Sequence, residues 1–359
     1  MAIKAKELAQ KLGISEATLS LVLNHKGGIS KRTRDMVTEK VISMGYGYMF
    51  KNDQNPVADD IAGISEAIPL PAENGYLGFV IYQDTGLFME NTPFFPLIID
   101  GMDLMARKYG YRLLVVNIRR DMDLNTKLGY IKDSGCVGYV IYAPEFPEEE
   151  VDYLKQLKIP FVLLDNYFPG KDIDAVTLNN EQGIYSILKM LIDKGHRRIG
   201  YLSSGVNIQS FRERRDSYRR LVPEMGLVLE PRFFWEIGYP DQQAAQGMDR
   251  MLGRNEGLPT AFITDNDYVA FGAMKSLMEH GYSIPADISV VGYSDRPVCM
   301  YIVPNITTVR IPRMRFGGEA VDLLINKILN RPYDEEKSTV KTAVSLELVV
   351  RDSVGDVPK

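Results

Sequence analysis

Apolar residues recur at Ala5, Leu8, Ala9 and Leu12 with helical spacing. Gly13 breaks the pattern, and Leu19, Val22 and Leu23 resume it after Ser15, a natural N-cap. Two short helices joined by a tight glycine-containing turn predict a helix-turn-helix. The outer side of the second helix carries Glu16, Ala17, Ser20, Leu21 and Asn24. These are short or polar residues near the end of the helix that meets base edges in this motif. Ser15 and Ser20 suit phosphate or base contacts. For Leu21, inward packing is the alternative. Ser30 caps a third helix with a stripe of Val37, Val41 and Met44, ended by Gly45. Lys31, Arg32 and Arg34 crowd its first turn, where cations oppose the helix dipole unless phosphates lie nearby.

From residue 76 the pattern alternates between apolar strands and amphipathic helices. Strands are expected over 76–82, 111–117, 137–142, 160–165, 199–202, 261–264 and 289–293. Helices are expected over 96–109, up to 157, over 182–194 and near 212–225. Short buried strands alternating with helices predict parallel α/β sheets covered on both faces. There are too many such units for one small sheet, so two lobes are expected. Ligands of such sheets bind beyond the carboxyl ends of the strands. Residues 51–75 are polar, acidic and interrupted by proline, which reads as a linker. Within it Asn55-Pro56 suits the start of a short helix carrying Val57 and Ile61. No internal repeat or low-complexity segment stands out.

Charge sharpens this division. The net charge is −5 over 359 residues, yet residues 1–52 hold nine Lys/Arg against four acids, a net of +5. Residues 53–75 hold five acids and no base. A basic head on an acidic body is the electrostatic footprint of a DNA-binding module on a larger soluble domain. Cys136 and Cys299 are too few and too distant for a disulfide framework, which fits a reducing cytoplasm. No signal peptide and no membrane-spanning run is expected.

Enzymatic signatures are missing. There is no G-x-G-x-x-G after a strand and no phosphate-binding loop of the P-loop type. Gly292-Tyr293-Ser294 begins like a nucleophile elbow, but Arg296 stands where the second glycine is needed. His25, His196 and His280 lack metal-ligand spacing, and His196 is expected to bond locally at a helix–strand turn. No catalysis, cofactor or metal is expected.

The chain resembles the LacI-type transcription regulators over nearly its whole length. In the head the resemblance rests on Leu8-Ala9, Ile14-Ser15, Thr18-Leu19-Ser20, Val22-Leu23-Asn24, Ile29-Ser30 and Thr33-Arg34. In the body it rests on Leu178-Asn179-Asn180 with Gly183, Gly195-His196-Arg197-Arg198-Ile199 and Pro259-Thr260-Ala261-Phe262 with Asn266-Asp267. Ile288 to Tyr293, Asn305 to Arg310 and Leu346 to Ser353 complete it. The resemblance implies a small all-α helix-turn-helix head (1–50) and a linker or hinge (51–75). A two-lobed α/β body (76–355), similar to periplasmic binding proteins, would follow. Lobe 1 would comprise about 76–178 and 312–338, and lobe 2 about 179–311 and 339–355. It further implies a cytoplasmic homodimer on a pseudo-palindromic operator in double-stranded DNA. A small effector, usually a sugar or its derivative, would control operator affinity, with repression relieved by inducer as the default.

Carried over residue by residue, the resemblance makes Ser15, Glu16, Ala17, Ser20, Leu21 and Asn24 base-reading positions. Lys4, Lys6, Ser30 and Thr33 become backbone-positioning sites. Leu21 stands where several relatives carry arginine, which removes a guanine contact and leaves apolar contact, for instance with a thymine methyl. Asp59 and Asp60 occupy the region of the family's basic hinge helix, so no hinge contact is assigned. In the cleft, Phe94 and Phe95 resemble an aromatic pair that stacks on ligands, core packing being the alternative. Asp165 resembles a ligand acceptor, or else a loop N-cap. Arg214, three residues before Ser217 where relatives have glycine, would grip hydroxyls or a carboxylate, or else belong to an exposed basic run. Asn266 would bond the effector while Asp267 orients its loop. Ser294 replaces an aspartate common in sugar-binding members, with Asp295 next to it. Tyr239 and Trp235 are further stacking candidates.

Overall fold

In the computed structural model the described residues are 8, 9, 12, 14–23, 33, 37, 74–83, 95–119, 121–142, 144–156, 158–254, 257–329 and 338–357. Lys4, Lys6, Asn24, Ser30, Phe94 and nearly all of the linker lie outside them. The chain divides into two units, Met1–Pro69 and Leu70–Lys359.

In the first unit, Leu8, Ala9 and Leu12 are helical and helix α1 spans Glu16–Leu23. Ser15 caps α1: its Oγ accepts from Thr18 N at 3.0 Å. This satisfies one of the backbone donors that the first helical turn leaves open. Leu19, Val22 and Leu23 pack against Leu8, Ala9 and Val37, with Leu12 and Ile14 at the edge.

The second unit has two lobes. Lobe 1 is built from β1 (Tyr76–Gln83), α2 (Phe95–Lys108), β2 (Arg112–Arg119), α3 (Leu124–Asp133), β3 (Gly138–Tyr142), α4 (Val151–Gln156), β4 (Phe161–Leu164) and β5 (Ala175–Leu178). Lobe 2 follows with α5 (Asn180–Asp193), β6 (Ile199–Ser203), α6 (Gln209–Glu224), β7 (Phe234–Glu236), α7 (Asp241–Leu252), β8 (Ala261–Thr264), α8 (Asp267–Glu279) and β9 (Ser289–Val291). The chain ends through β10 (Thr308–Arg310), α9 (Arg313–Ile328), β11 (Lys341–Val344) and β12 (Glu347–Val349).

The first sheet has the order β11-β5-β4-β3-β1-β2 and the second β7-β6-β8-β9. Every pairing in both is parallel. Central strands such as Phe161–Leu164 and Ala261–Thr264 are wholly buried, as expected with helices on both faces. Edge strand β2 instead buries only Val116 and Ile118.

Two glycines set the helix layer of lobe 1. A Cβ on Gly101 of α2 would lie 1.9 Å from Met314 O, and one on Gly317 of α9 would lie 2.3 Å from Ile98 O. Only glycine lets these two helices cross so closely. α9 thus packs on α2 and on the lobe 1 strands.

The stretch 339–355, expected in lobe 2, is divided between the lobes. β11 pairs with β5 at the edge of the first sheet, held by Val340 N donating to Asp174 Oδ1 at 2.8 Å. β12 then pairs antiparallel with β10. Ser353 joins lobe 2, its Oγ accepting from Thr307 N and donating to Val290 O. The apolar alternation of 340–349 carries no mark of which sheet each half joins.

Candidate effector cleft and reading head

The cleft forms where strands of both lobes end. β4 runs directly into Asp165, which is buried and held at φ +64°. Across the lobe boundary α6 offers Ser210 and Arg214, one turn apart and so on one face. Ser210 Oγ donates to Asp165 Oδ1 at 2.5 Å, and Tyr142 OH, at the end of β3, lies 3.5 Å from Oδ2. Burial raises the Asp165 carboxyl to about 6, against the opposing effects of the Ser210 bond and the Arg214 charge. This loop-N-cap candidate therefore reaches across to the second lobe.

Arg214 is not an exposed member of a basic run but 2% accessible. Its Nε donates to Asn180 Oδ1 at 2.9 Å and Nη1 to Asp265 O at 2.6 Å. The guanidinium lies 3.8 Å from the Tyr293 ring centroid, a cation–π stack. Tyr293 is placed by Gly183 of α5, where a Cβ would sit 2.2 Å from its hydroxyl. The Tyr293 hydroxyl in turn donates to Asn180 Oδ1.

Asn266 and Asp267 hold the loop after β8. Asn266 Oδ1 caps α8, accepting from Tyr268 N and Val269 N at 3.0 Å. Asp267 is buried and accepts from Arg296 N at 2.7 Å and from Thr308 Oγ1 at 2.5 Å. It thereby fixes the turn after β9, where Ser294 (φ +114°) and Asp295 (φ +50°) are both left-handed. Ser294 presents its backbone, donating to Val309 O and accepting from Arg313. The Asp295 carboxylate binds Arg351 at 2.6 Å and Arg310 at 2.8 Å, tying the turn to the crossover strands.

Phe95 sits half-buried, its ring centroid 5.0 Å from Tyr142 in an edge contact and 6.2 Å from Phe79. It is part of the lobe 1 core and also touches the tyrosine beside Asp165. Trp235 is core: it packs on Phe262 and donates to Arg232 O. Tyr239 is buried near Arg296, and burial raises its hydroxyl to about 12. His196 bonds Thr260 Oγ1 and Gly355 O, partners far along the chain rather than local ones.

Arg296 and Arg313 belong to this cleft and were missed. Arg296 is 4% accessible and lies near enough to Tyr142, Tyr239 and Tyr268 to act on all three electrostatically. Its position just beyond a strand end was the available signal. A separate groove of about 600 Å³ runs between α6, the start of α5, β5 and β11. None of the expected effector residues lines it, and on its rim Arg220 pairs with Glu181 at 2.6 Å.

In the head, Ser15, Glu16, Ala17 and Ser20 are exposed on one side of α1. Leu21 is half-buried and outside the apolar cluster. Thr33 is half-buried.

A family model described as a periplasmic binding protein-like domain matches residues 188–354. The chain is 26% identical over 351 residues to the HTH-type transcriptional repressor PurR of Mannheimia succiniciproducens, covering 97% of this chain and 98% of that one. The structure of the transcriptional regulator CelR in complex with cellobiose superposes with a TM-score of 0.68 at 20% identity, over 98% of this chain and 100% of that one. The lac repressor dimer bound to operator and the anti-inducer ONPF gives 0.67 at 21% identity, over 99% and 100%. A helix-turn-helix head on a bilobed binding-protein-like body defines the class as ligand-controlled DNA-binding regulators. Within that class the chain is similar in sequence and fold to LacI-type transcription regulators.

Proposed function

We propose that the chain is a cytoplasmic repressor that reads a pseudo-palindromic operator as a homodimer. It releases the operator when a small effector, a sugar or sugar derivative, occupies the cleft between its lobes. The observation that carries this reading is the Ser210–Asp165 hydrogen bond with Arg214 beside it. Buried polar groups from both lobes meet at the strand ends, so a ligand there alters the relation between lobes. Such a ligand shifts DNA affinity only by its differential affinity for the two lobe arrangements. Typical couplings change affinity 5- to 150-fold.

In the head, Ser15, Glu16, Ala17, Ser20, Leu21 and Asn24 are proposed to face the bases, with Lys4, Lys6, Ser30 and Thr33 on the backbone. In the cleft, Phe94, Phe95, Asp165, Arg214, Asn266 and Ser294 are proposed to surround the effector. Asn266 would act through its amide nitrogen, because its oxygen caps α8. The proposed activity is binding, without catalysis, cofactor or metal. Fluorescence anisotropy of the full chain with operator fragments, repeated with effectors from a thermal-shift screen, tests the reading. Loss of operator affinity on effector binding is expected. An effector that tightens binding would reverse the assignment as an inducer-released repressor.

A further inference from the structure

The Arg214 guanidinium is held by three contacts. Its charge lies over the Tyr293 ring, 3.8 Å from the centroid. A stack of this kind fixes the plane of the group but lets it turn within that plane. Hydrogen bonds set the remaining angle, because the donors of arginine form a rigid planar fork. At one end Nη1 donates to Asp265 O at 2.6 Å, and at the other Nε donates to Asn180 Oδ1 at 2.9 Å. The Asp265 end is fixed through its own side chain. That carboxylate accepts from Tyr201 OH at 2.8 Å and from Ser204 N and Oγ at 2.7 Å, which pins the loop carrying the carbonyl. The other end depends on a single side-chain amide.

Asn180 is the first residue of α5, just past the end of β5 where the chain enters lobe 2, and it is 2% accessible. Both of its polar atoms are engaged within the protein. Oδ1 accepts from Arg214 and from the Tyr293 hydroxyl at 3.3 Å, and Nδ2 donates to Glu213 Oε2 at 2.7 Å. A guanidinium only donates and a carboxylate only accepts, so the amide fits in one orientation. Reversed, it would set its NH2 against the guanidinium and its oxygen against the carboxylate. Glu213 is steadied in turn, its Oε1 accepting from Gln209 Nε2 at 3.1 Å one turn earlier on α6. Two consecutive residues of α6 thus grip opposite ends of the same buried amide.

We propose that Asn180 is a positioning residue for the effector cleft. It sets the angle of the Arg214 guanidinium, with Glu213 fixing the sense of its amide, and so controls effector affinity without touching the effector. This inference rests on the effector reading of the cleft. A guanidinium free to turn loses the directed pair of bonds that makes arginine selective for paired oxygens.

The test uses the full chain and two readouts. Hydrogen exchange of the Arg214 Nε–H, followed by NMR on labelled arginine, reports the bond to Asn180 with no ligand present. Isothermal titration with ribose, glucose and glucose 6-phosphate as probes reports the cleft. Asn180→Ala should speed the exchange and weaken the probe that binds by about five- to tenfold. In an Arg214→Ala background it should cause no further loss, because its effect passes through that guanidinium. Asn180→Asp keeps an oxygen for Nε but sets a carboxylate against Glu213, so it should also weaken binding. Adding Glu213→Gln restores a donor across the same contact and should recover most of the affinity and the slow exchange. Circular dichroism checks folding, and the aspartate pair supplies the answer if Asn180→Ala does not fold. Unchanged Nε–H exchange in Asn180→Ala overturns the proposal. A loss of affinity that persists in the Arg214→Ala background overturns it as well, since Asn180 would then touch the ligand or act through the fold at large. Exchange that responds as expected while no probe binds counts against the sugar-effector reading and leaves the positioning of Arg214 standing.

Discussion

The hydroxyl of Ser210 donates to the carboxylate of Asp165 at 2.5 Å, joining α6 of lobe 2 to the end of β4 in lobe 1. Burial raises this carboxyl from 3.8 to about 6. The native state therefore holds the Asp165 proton more tightly than the unfolded chain does. Its contribution to stability is fully present below about 3.8 and is lost as pH rises through about 6. A gap of about two pKa units corresponds to at most about 3 kcal/mol. Asp165→Asn should flatten this part of the profile. Urea unfolding of both proteins between pH 4 and 7.5 checks it, and a wild-type-minus-variant difference that stays constant across that range would contradict it.

Arg214→Ala removes a buried cation bonded to Asn180 and Asp265 and stacked on Tyr293. Losing a charged hydrogen bond to a ligand costs about 1.5–3 kcal/mol, so effector affinity should fall at least about tenfold. Operator binding by the unliganded protein should persist. Arg214→Lys should not rescue effector binding, because an ammonium cannot span both oxygens and the ring face at once. Isothermal titration alongside gel shift separates the two effects.

Gly101→Ala places a methyl 1.9 Å from Met314 O at the α2–α9 crossing. Backbone must move to admit it, and overpacking of this kind costs about 1–3 kcal/mol. Calorimetry should show the body melting several degrees lower, with the head's operator contacts unchanged.

In the head, Ser15→Ala removes the cap on Thr18 N and should lower head stability by about 1 kcal/mol. Hydrogen exchange of the α1 amides would show the loss locally.

Leu21 is half-buried beside the exposed Ser20 and Ala17. Leu21→Arg should raise the preference for guanine at one operator position by about 1–3 kcal/mol, since a guanidinium bonds O6 and N7 where leucine reads at most a methyl. Selection of binding sites from a random pool by both proteins reads this directly. Identical selected sites would mean that residue 21 does not face the bases.

Much of the fold could be read from periodicity, because it follows from one-dimensional patterns. Buried parallel strands such as Ala261–Thr264 are plain apolar runs, and Ser15 with Leu19, Val22 and Leu23 spells out a capped helix face. The division of 339–355 between lobes was not legible, since β11 and β12 carry similar alternation and only their partners differ. The cleft was half legible. Asp165 and Arg214 stand where strand ends and a helix face place them. Asn266 looks like a ligand residue in sequence, but its oxygen is committed to capping α8. Arg296 drew notice only as the wrong residue for a nucleophile elbow. Its burial goes with the turn that Asp267 fixes from the start of α8, and nothing near it in the chain records that contact.

The central claim is that the cleft and the reading head are coupled. It is tested most directly by operator affinity measured by fluorescence anisotropy, with and without a cleft-binding effector, in the wild type and in Arg214→Ala. Coupling gives a wild-type change of about 5- to 150-fold. At effector concentrations that saturate the wild type, the variant should show little or no change while keeping its unliganded operator affinity. An effector that binds the cleft and leaves wild-type operator affinity unchanged would contradict the claim.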